Sequence, residues 1–285
     1  MSASSGVNTE NDSDLVRRFS GVSRLYGAAG LAQLQAMHIC VVGIGGVGSW
    51  AAEALARNAV GRITLIDLDN IAESNVNRQL HAVDGAFGKA KVSAMATRIV
   101  QINPAAHVTK IEDFITPENI ATLLNDTFDG IVDCIDDAKA KIAIAAFCKA
   151  QHIPLVMTGA AGGRLDPTRI RTADLSVVTH DKLLAKVRNG LRRDFGFAKG
   201  RDGVKQKQPS MHIPCVYSDE LVIAPSTVNN QSADQACAIE ADTTAEANKP
   251  ITGLNCAGYG SSVCVTAPFG FAAVAHLLQL VLNNH

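Results

Sequence analysis

The sequence predicts an α/β fold: a Rossmann-like wound, mainly parallel sheet with helices on both faces. Two observations predict it. Apolar runs of strand length alternate with longer helical segments from Ile39 to Thr158, the order a parallel sheet requires. The first run ends in Gly43-Ile44-Gly45-Gly46-Val47-Gly48-Ser49, and a helical segment follows at once. Strand, glycine turn and helix in that order are the setting in which backbone N–H groups receive a phosphate.

Composition bounds the rest. Of the 285 residues 47% are hydrophobic and 19% charged, enough for a sizeable core. The net charge of −1 excludes a global field that draws the protein onto nucleic acid or membrane, so such binding needs a local patch. Seven cysteines without a CxxC pair, and no secretory leader, fit a reduced, cytoplasmic compartment. Residues 1–14, rich in Ser, Asn and Asp, read as a mobile tail, and 15–285 as a single domain.

In chain order, Leu15 to Gln35 reads as one or two short helices carrying Arg17, Arg18, Arg24 and Tyr26. Ile39 to Val42 is a buried strand, and Trp50 to Arg57 the helix after the glycine turn. Gly43 and Gly45 permit a sharp turn and close approach, and Gly48 tight helix packing. The next strand, Ile63 to Ile66, ends in Asp67, nineteen residues after Gly48, where a carboxylate holds a ribose hydroxyl.

A polar connection follows, with Asp69, Ser74, Asn75, Arg78, Gln79 and His81. It leaves the carboxyl end of the second strand, where open α/β sheets bind ligands. Gly88 to Lys91 opens a helix with Val92, Met95, Ile99 and Ile102 on one face, stopped by Asn103-Pro104. A lysine in a first turn opposes the helix dipole, which points to a partner anion or to simple exposure.

His107 to Ile111 is a short strand, and Thr116-Pro117 a helix start. Asp129 to Asp137 reads as a buried strand ending in three acids, Asp133, Asp136 and Asp137. Such a cluster needs a cation, with Mg²⁺ the natural choice beside a triphosphate, unless Asp136 or Asp137 caps the helix from Ala138 to Gln151. Ile153 to Thr158 is the next strand, followed by a second small-residue turn, Gly159 to Gly163.

Asp166 to Thr168 is a turn, Arg169 to Thr172 a short strand and Leu183 to Leu191 a helix. Between Lys182 and Lys207 nine lysines or arginines face two aspartates. This basic helix and mobile loop, within 180–210, is either a solvated face or a surface for a nucleic-acid backbone. Leu221 to Ile223 reads as a strand, and 226–250 as an irregular excursion. Val263 to Leu282 is apolar and long enough to span a bilayer, but Pro268, Gly270, His276 and Gln279 favour a strand-to-helix segment closing the core over membrane insertion.

Taken together, Gly43-x-Gly45-Gly46-x-Gly48, Asp67-x-Asp69, Ser74-Asn75-x-x-Arg78-Gln79, Gly88-x-x-Lys91 and Asp133-Cys134-Ile135-Asp136-Asp137 resemble, in order and spacing, the ubiquitin-activating-like adenylating enzymes of the ThiF/MoeB superfamily. Arg24-Leu25-Tyr26-Gly27, Asn77-Arg78-Gln79-Leu80-His81-Ala82 and Ala185-Lys186-x-Arg188-x-x-Leu191 are similar to its tRNA-modifying branch, which cyclises threonylcarbamoyladenosine. The resemblance implies that Gly43, Gly45, Gly46 and Gly48 hold the phosphates of ATP and Asp67 its ribose, with Asp69 beside it. It implies phosphate contacts from Asn75, Arg78 and Lys91 with Gln79 nearby, and Mg²⁺ on Asp136. Arg78, Lys91 and Asp136 are thereby the expected catalytic residues.

The resemblance also implies a homodimer in which an N-terminal arginine reaches the partner's site. Gly21 stands where the family has its second arginine, so Arg18 or Arg24 takes that role. The zinc-binding cysteine pairs of the sulfur-carrier branch are absent. On this reading tRNA lies on Lys186, Arg188, Arg192, Arg193 and Lys205, and a carboxylate on it is adenylated and then closes a ring. Cys237, Cys256 and Cys264 are candidate thioester sites or inert thiols. Two other classes fit parts of the pattern: a scaffold in a cysteine-desulfurase sulfur relay with its acceptor, and an NAD-dependent oxidoreductase. The latter leaves Asn75, Arg78, Lys91 and Asp136 without a task.

Overall fold

The structure is a computed structural model that describes residues 9–198, 209–224 and 259–283. Helix α1 (Thr9–Ala36) is bent at Gly27, whose φ of 76° lies outside the helical region, so two helical pieces share one run. It begins earlier than expected, at Thr9. Strand β1 (His38–Val42) leads through the glycine turn to α2 (Gly48–Arg57) and β2 (Arg62–Ile66). A single 3-10 turn, Glu73–Asn75, punctuates the polar connection to α3 (Lys91–Ile102). Then come β3 (His107–Ile111), α4 (Ile120–Leu123), β4 (Gly130–Asp133), α5 (Ala138–Gln151) and β5 (Leu155–Thr158). The chain continues with β6 (Ile170–Asp174), α6 (Lys182–Asp194), β7 (Pro214–Ser218) and α7 (Val263–Asn283).

The seven strands lie in the order β3-β2-β1-β4-β5-β7-β6, parallel except for the β6–β7 pair. Alternate side chains feed two cores. Ile39, Val41, Ile63 and Leu65 pack against Leu55 of α2, Met95 of α3 and Leu277 of α7. Cys40, Val42, Ile66 and Ile131 pack on the other face, with Ile144 of α5 and Leu184 of α6. Both faces are covered, as a wound parallel sheet demands.

Three expectations are corrected. Leu221 to Ile223 forms no ladder; Ile223 donates one bond to the Gly163 carbonyl, and the true strand is β7. Pro214–Ser218 owes its extended form to pairing with β5 on one side and β6 on the other, which no local pattern announces. The segment from Val263 is helical throughout, with Pro268 inside it. It is apolar and long enough to cross a membrane, yet over half of its apolar window is buried in the protein. A Cβ on Gly270 would come 2.6 Å from the Val47 carbonyl, so α7 presses its backbone onto the start of α2. The helix expected from Thr116 is also short, with a turn before Ile120.

The three acids after β4 do not share a site. Asp133 is fully buried and paired with Lys141 of α5, Oδ1 to Nζ 2.9 Å. Burial pushes its carboxyl above the ordinary range, against the pull of Lys141. Asp137 caps α5, accepting from the Ala140 N–H at 2.7 Å. Only Asp136 is left at the mouth of the sheet, exposed.

Lys141→Met leaves the Asp133 charge buried alone and should cost about 3–5 kcal/mol, whereas Asp133→Leu with Lys141→Met should cost far less. Urea unfolding of both variants checks this.

Candidate active site

Strand order reverses between β1 and β4, which are direct neighbours, so the crevice outside their carboxyl ends is where a ligand enters such a sheet. The ends of β1, β2 and β4 are flush: Val42 pairs with Ile66 on one side and Asp133 on the other. The glycine turn leaves β1 at Gly43, whose φ of 84° only glycine adopts cheaply. A Cβ on Gly48 would stand 1.7 Å from the Gly43 carbonyl oxygen, so the turn closes on itself without room for a side chain. Gly45 faces open space. No side chain caps the N-terminus of α2, which suits an anion there.

Asp67 locks this turn to the next connection. It is 7% exposed, and its Oδ2 accepts from the Ile44 N–H at 2.6 Å while Oδ1 accepts from the Asp69 N–H at 2.9 Å. Burial pushes its carboxyl up, with Lys91 and the two amides pulling it back. Lys91, at the first position of α3, is buried with its Nζ 2.6 Å from Asp69 Oδ2 and 3.8 Å from Asp67 Oδ1. The lysine that opposes the helix dipole thus has carboxylate partners.

Arg78 lies over the turn: a Cβ on Gly46 would meet its Cγ at 3.0 Å. Its guanidinium donates to the Ser74 carbonyl at 2.7 Å and to Asn77 Oδ1 at 2.8 Å. Burial lowers its pKa, while the nearby Asp136 carboxylate raises it. Arg78 and Asp136 are therefore close enough for their charges to interact. The Arg78 carbonyl is held by the Trp50 indole N–H at 2.9 Å, and Trp50 in turn meets Phe271 of α7 edge-on at 5.9 Å. Asn75 accepts from the Ala72 N–H at 3.1 Å, which braces the 3-10 turn.

Several residues of this wall escaped the sequence reading. Sequence alone marks Trp50 only as a helix residue, and its hold on the Arg78 carbonyl is a tertiary contact. Asp181 caps α6 through Leu184 N–H at 2.9 Å and holds the Ala160 N–H at 2.8 Å, fixing the second glycine turn after β5. An Asp directly before a helical run was the available signal. Arg164, 1% exposed, bonds the Ser218 and His180 carbonyls behind that turn; nothing in its sequence neighbourhood marks it.

The family model described as the ThiF family matches residues 20–285. The chain belongs to the ThiF family. It is 45% identical over 267 residues to the tRNA threonylcarbamoyladenosine dehydratase of Escherichia coli (strain K12), covering 93% of this chain and 94% of that one. The protein of that name from Haemophilus influenzae (strain ATCC 51907 / DSM 11121 / KW20 / Rd) is 42% identical over 269 residues, 94% of each. The crystal structure of the E. coli enzyme in complex with ATP superposes with a TM-score of 0.79 at 41% identity, over 94% of this chain and 95% of that one. Within this ThiF chain the glycine turn, Asp67, Arg78, Lys91 and Asp136 stand around one crevice.

The basic region is less uniform than its composition implies. Arg188 donates to the Leu175 and Val178 carbonyls at 3.3 and 2.7 Å, and Arg192 to the Ala198 carbonyl at 3.1 Å, so both serve the local fold. Lys182, Lys186 and Arg193 are exposed, Arg193 paired with Asp194 at 2.7 Å. Lys205 lies outside the described residues, as do Cys237 and Cys256. Cys264 is exposed, while burial pushes the Cys134 thiol, beside the glycine turn, up to about 12.

Burial, reinforced by Lys91, lowers the His81 pKa from 6.5 to about 4. As pH falls below 6.5 the unfolded chain takes up this proton first, so stability drops until the folded imidazole titrates near 4. The loss should approach about 3 kcal/mol. In urea unfolding against pH, His81→Phe should flatten that slope, leaving only the part due to other groups such as His38, whose pKa burial also lowers.

Proposed function

We propose that this chain adenylates the carboxylate of threonylcarbamoyladenosine in tRNA with ATP, then lets the same substituent close a ring with net loss of water. The observation that carries the reading is the convergence of Arg78, Asp136 and Lys91 on a glycine-lined, Asp67-locked crevice, in a chain 45% identical to a dehydratase of that name. ATP and AMP complexes of the E. coli enzyme support the nucleotide and its product.

Asp67 is placed to take a ribose hydroxyl through the free lone pairs of its two oxygens. The open turn at Gly45 and the uncapped start of α2 offer N–H groups to the phosphates. A carboxylate oxygen of the substrate attacks the α-phosphorus; the bond to pyrophosphate breaks and pyrophosphate leaves. Arg78 and Lys91 stabilise the charge that builds on the phosphate oxygens. A nucleophilic atom of the same substituent then attacks the activated carbonyl, and AMP leaves with one former carboxylate oxygen. No side chain of the protein forms a covalent bond. Cysteine thioesters are thus unnecessary.

Asp136 fits a Mg²⁺ ion, which takes one or two protein carboxylates together with substrate phosphates; Asp133 and Asp137 are engaged by Lys141 and the start of α5. The ion supplies further charge neutralisation of the phosphates. An NAD-dependent oxidation gives Arg78, Lys91 and Asp136 no role.

The homodimer is part of this proposal. Both arginines are exposed, but Arg18 is committed to Asp14 and to the last carbonyls of α3, so Arg24 is the arginine assigned to a partner's site. The surface for tRNA is reduced to Lys182, Lys186 and Arg193, with Lys205 added from sequence. A cysteine-desulfurase relay would be a secondary association. A cytoplasmic setting belongs to the same proposal; the core packing of α7 is compatible with it.

Incubation with ATP and tRNA bearing threonylcarbamoyladenosine should give a nucleoside lighter by one water, with AMP and pyrophosphate; an unchanged nucleoside defeats the proposal. Lys91→Ala should lower AMP formation by about two orders of magnitude or more, the loss typical of one preorganised charge donor. Joint replacement of Lys182, Lys186 and Arg193 by Gln should weaken tRNA binding and flatten its dependence on salt, measured by filter binding over a salt series.

A further inference from the structure

Two residues of the connection after β2 have no task in that account. Gln79 and His81 are each more than nine-tenths buried. Gln79 Oε1 and both ring nitrogens of His81 have no hydrogen-bond partner among the described residues. Leaving a buried polar group unpaired destabilises the fold. Three such atoms lie within three residues of the connection that also carries Arg78 and ends at Lys91.

Their surroundings say what. Burial, reinforced by the nearby Lys91 ammonium, keeps the His81 imidazole neutral, so one ring nitrogen is an acceptor. Lys91 carries three donors. It is held now by Asp69, whose side chain is 52% exposed against 6% for Lys91. A carboxylate partner cancels much of the charge that Lys91 must present to phosphate. An imidazole partner fixes the ammonium equally well and leaves its charge whole. An ammonium that serves phosphate cannot spend all three donors on Asp69 and Asp67, and its remaining donors need neutral acceptors inside the wall.

We propose that His81 is a positioning residue for Lys91: its imidazole accepts a hydrogen bond from the Lys91 ammonium when ATP fills the crevice, and so aims the cation at the phosphates. Gln79 Oε1 lies two residues earlier on the same wall and is the second acceptor available. The inference rests on the adenylation reading and deepens it. His81 touches neither substrate nor reacting atoms; it acts through Lys91.

The test uses the full chain, ATP and tRNA bearing threonylcarbamoyladenosine, with AMP formation followed over a range of ATP concentrations. His81→Phe keeps a ring of similar volume and removes both nitrogens. The expected result is a kcat about tenfold lower, a KM for ATP within about twofold, and a Tm equal to or above that of the parent, because an unpaired polar group is gone. His81→Gln restores an acceptor and should recover most of kcat. A His81→Phe kcat within about twofold of the parent overturns the inference, as does a His81→Gln variant as slow as His81→Phe. If His81→Phe does not fold, His81→Gln decides: near-parent kcat upholds the inference and a tenfold loss, about 1.4 kcal/mol, overturns it. If the parent itself forms no AMP, the adenylation reading fails and this inference with it; a parent that forms AMP beside an unaffected His81→Phe overturns this inference alone.

Discussion

The Asp67 carboxylate is the constraint on which the site depends. One of its oxygens holds the Ile44 amide of the glycine turn and the other the Asp69 amide of the following connection. The turn after β1 and the connection after β2 are thereby made into one rigid wall. Lys91 and Arg78 are both delivered by that connection, so their aim at the turn follows from two hydrogen bonds made by a buried acid. Charge-assisted bonds of this kind are about twice as strong as neutral ones. A second clamp works from the far side: α7 presses on α2 at Gly270, Phe271 meets Trp50, and Trp50 holds the Arg78 carbonyl. The apolar C-terminal helix is thus part of the active-site scaffold.

Charge is sorted rather than pooled. Each acid near the crevice has a distinct partner: Asp133 is tied to Lys141 beneath it, Asp137 to the start of α5, Asp67 to backbone amides, and Asp69 to Lys91. What reaches the mouth is a small set, Arg78 with Asp136, beside a polar turn without side chains. That is an arrangement for polyphosphate, where cations and amides meet oxygens and a single carboxylate suffices to seat a metal.

Local chemistry was legible in the sequence wherever backbone geometry alone dictates residue type. Gly43 and Gly48 could be read because a positive φ and a contact of 1.7 Å admit nothing else. Asp67 could be read from its distance to the turn, although its two amide bonds could not. The three acids after β4 look alike in sequence; Lys141, one turn into α5, is what separates Asp133 from the others. Strand β7 escaped because its five residues are extended only through pairing with β5 and β6, while the more apolar Leu221 to Ile223 mimics a strand without a neighbour. Arg188 and Arg192 read as surface charge because composition cannot tell which arginines turn inward to carbonyls.

The central claim is that AMP is handed to a carboxylate in this crevice. The most direct measurement is isotope transfer. Threonylcarbamoyladenosine in tRNA is labelled with ¹⁸O in its carboxylate, and the products of one turnover are analysed by mass spectrometry. Attack at the α-phosphorus predicts one labelled oxygen in AMP and none in pyrophosphate. Unlabelled AMP, or label in inorganic phosphate, would contradict it.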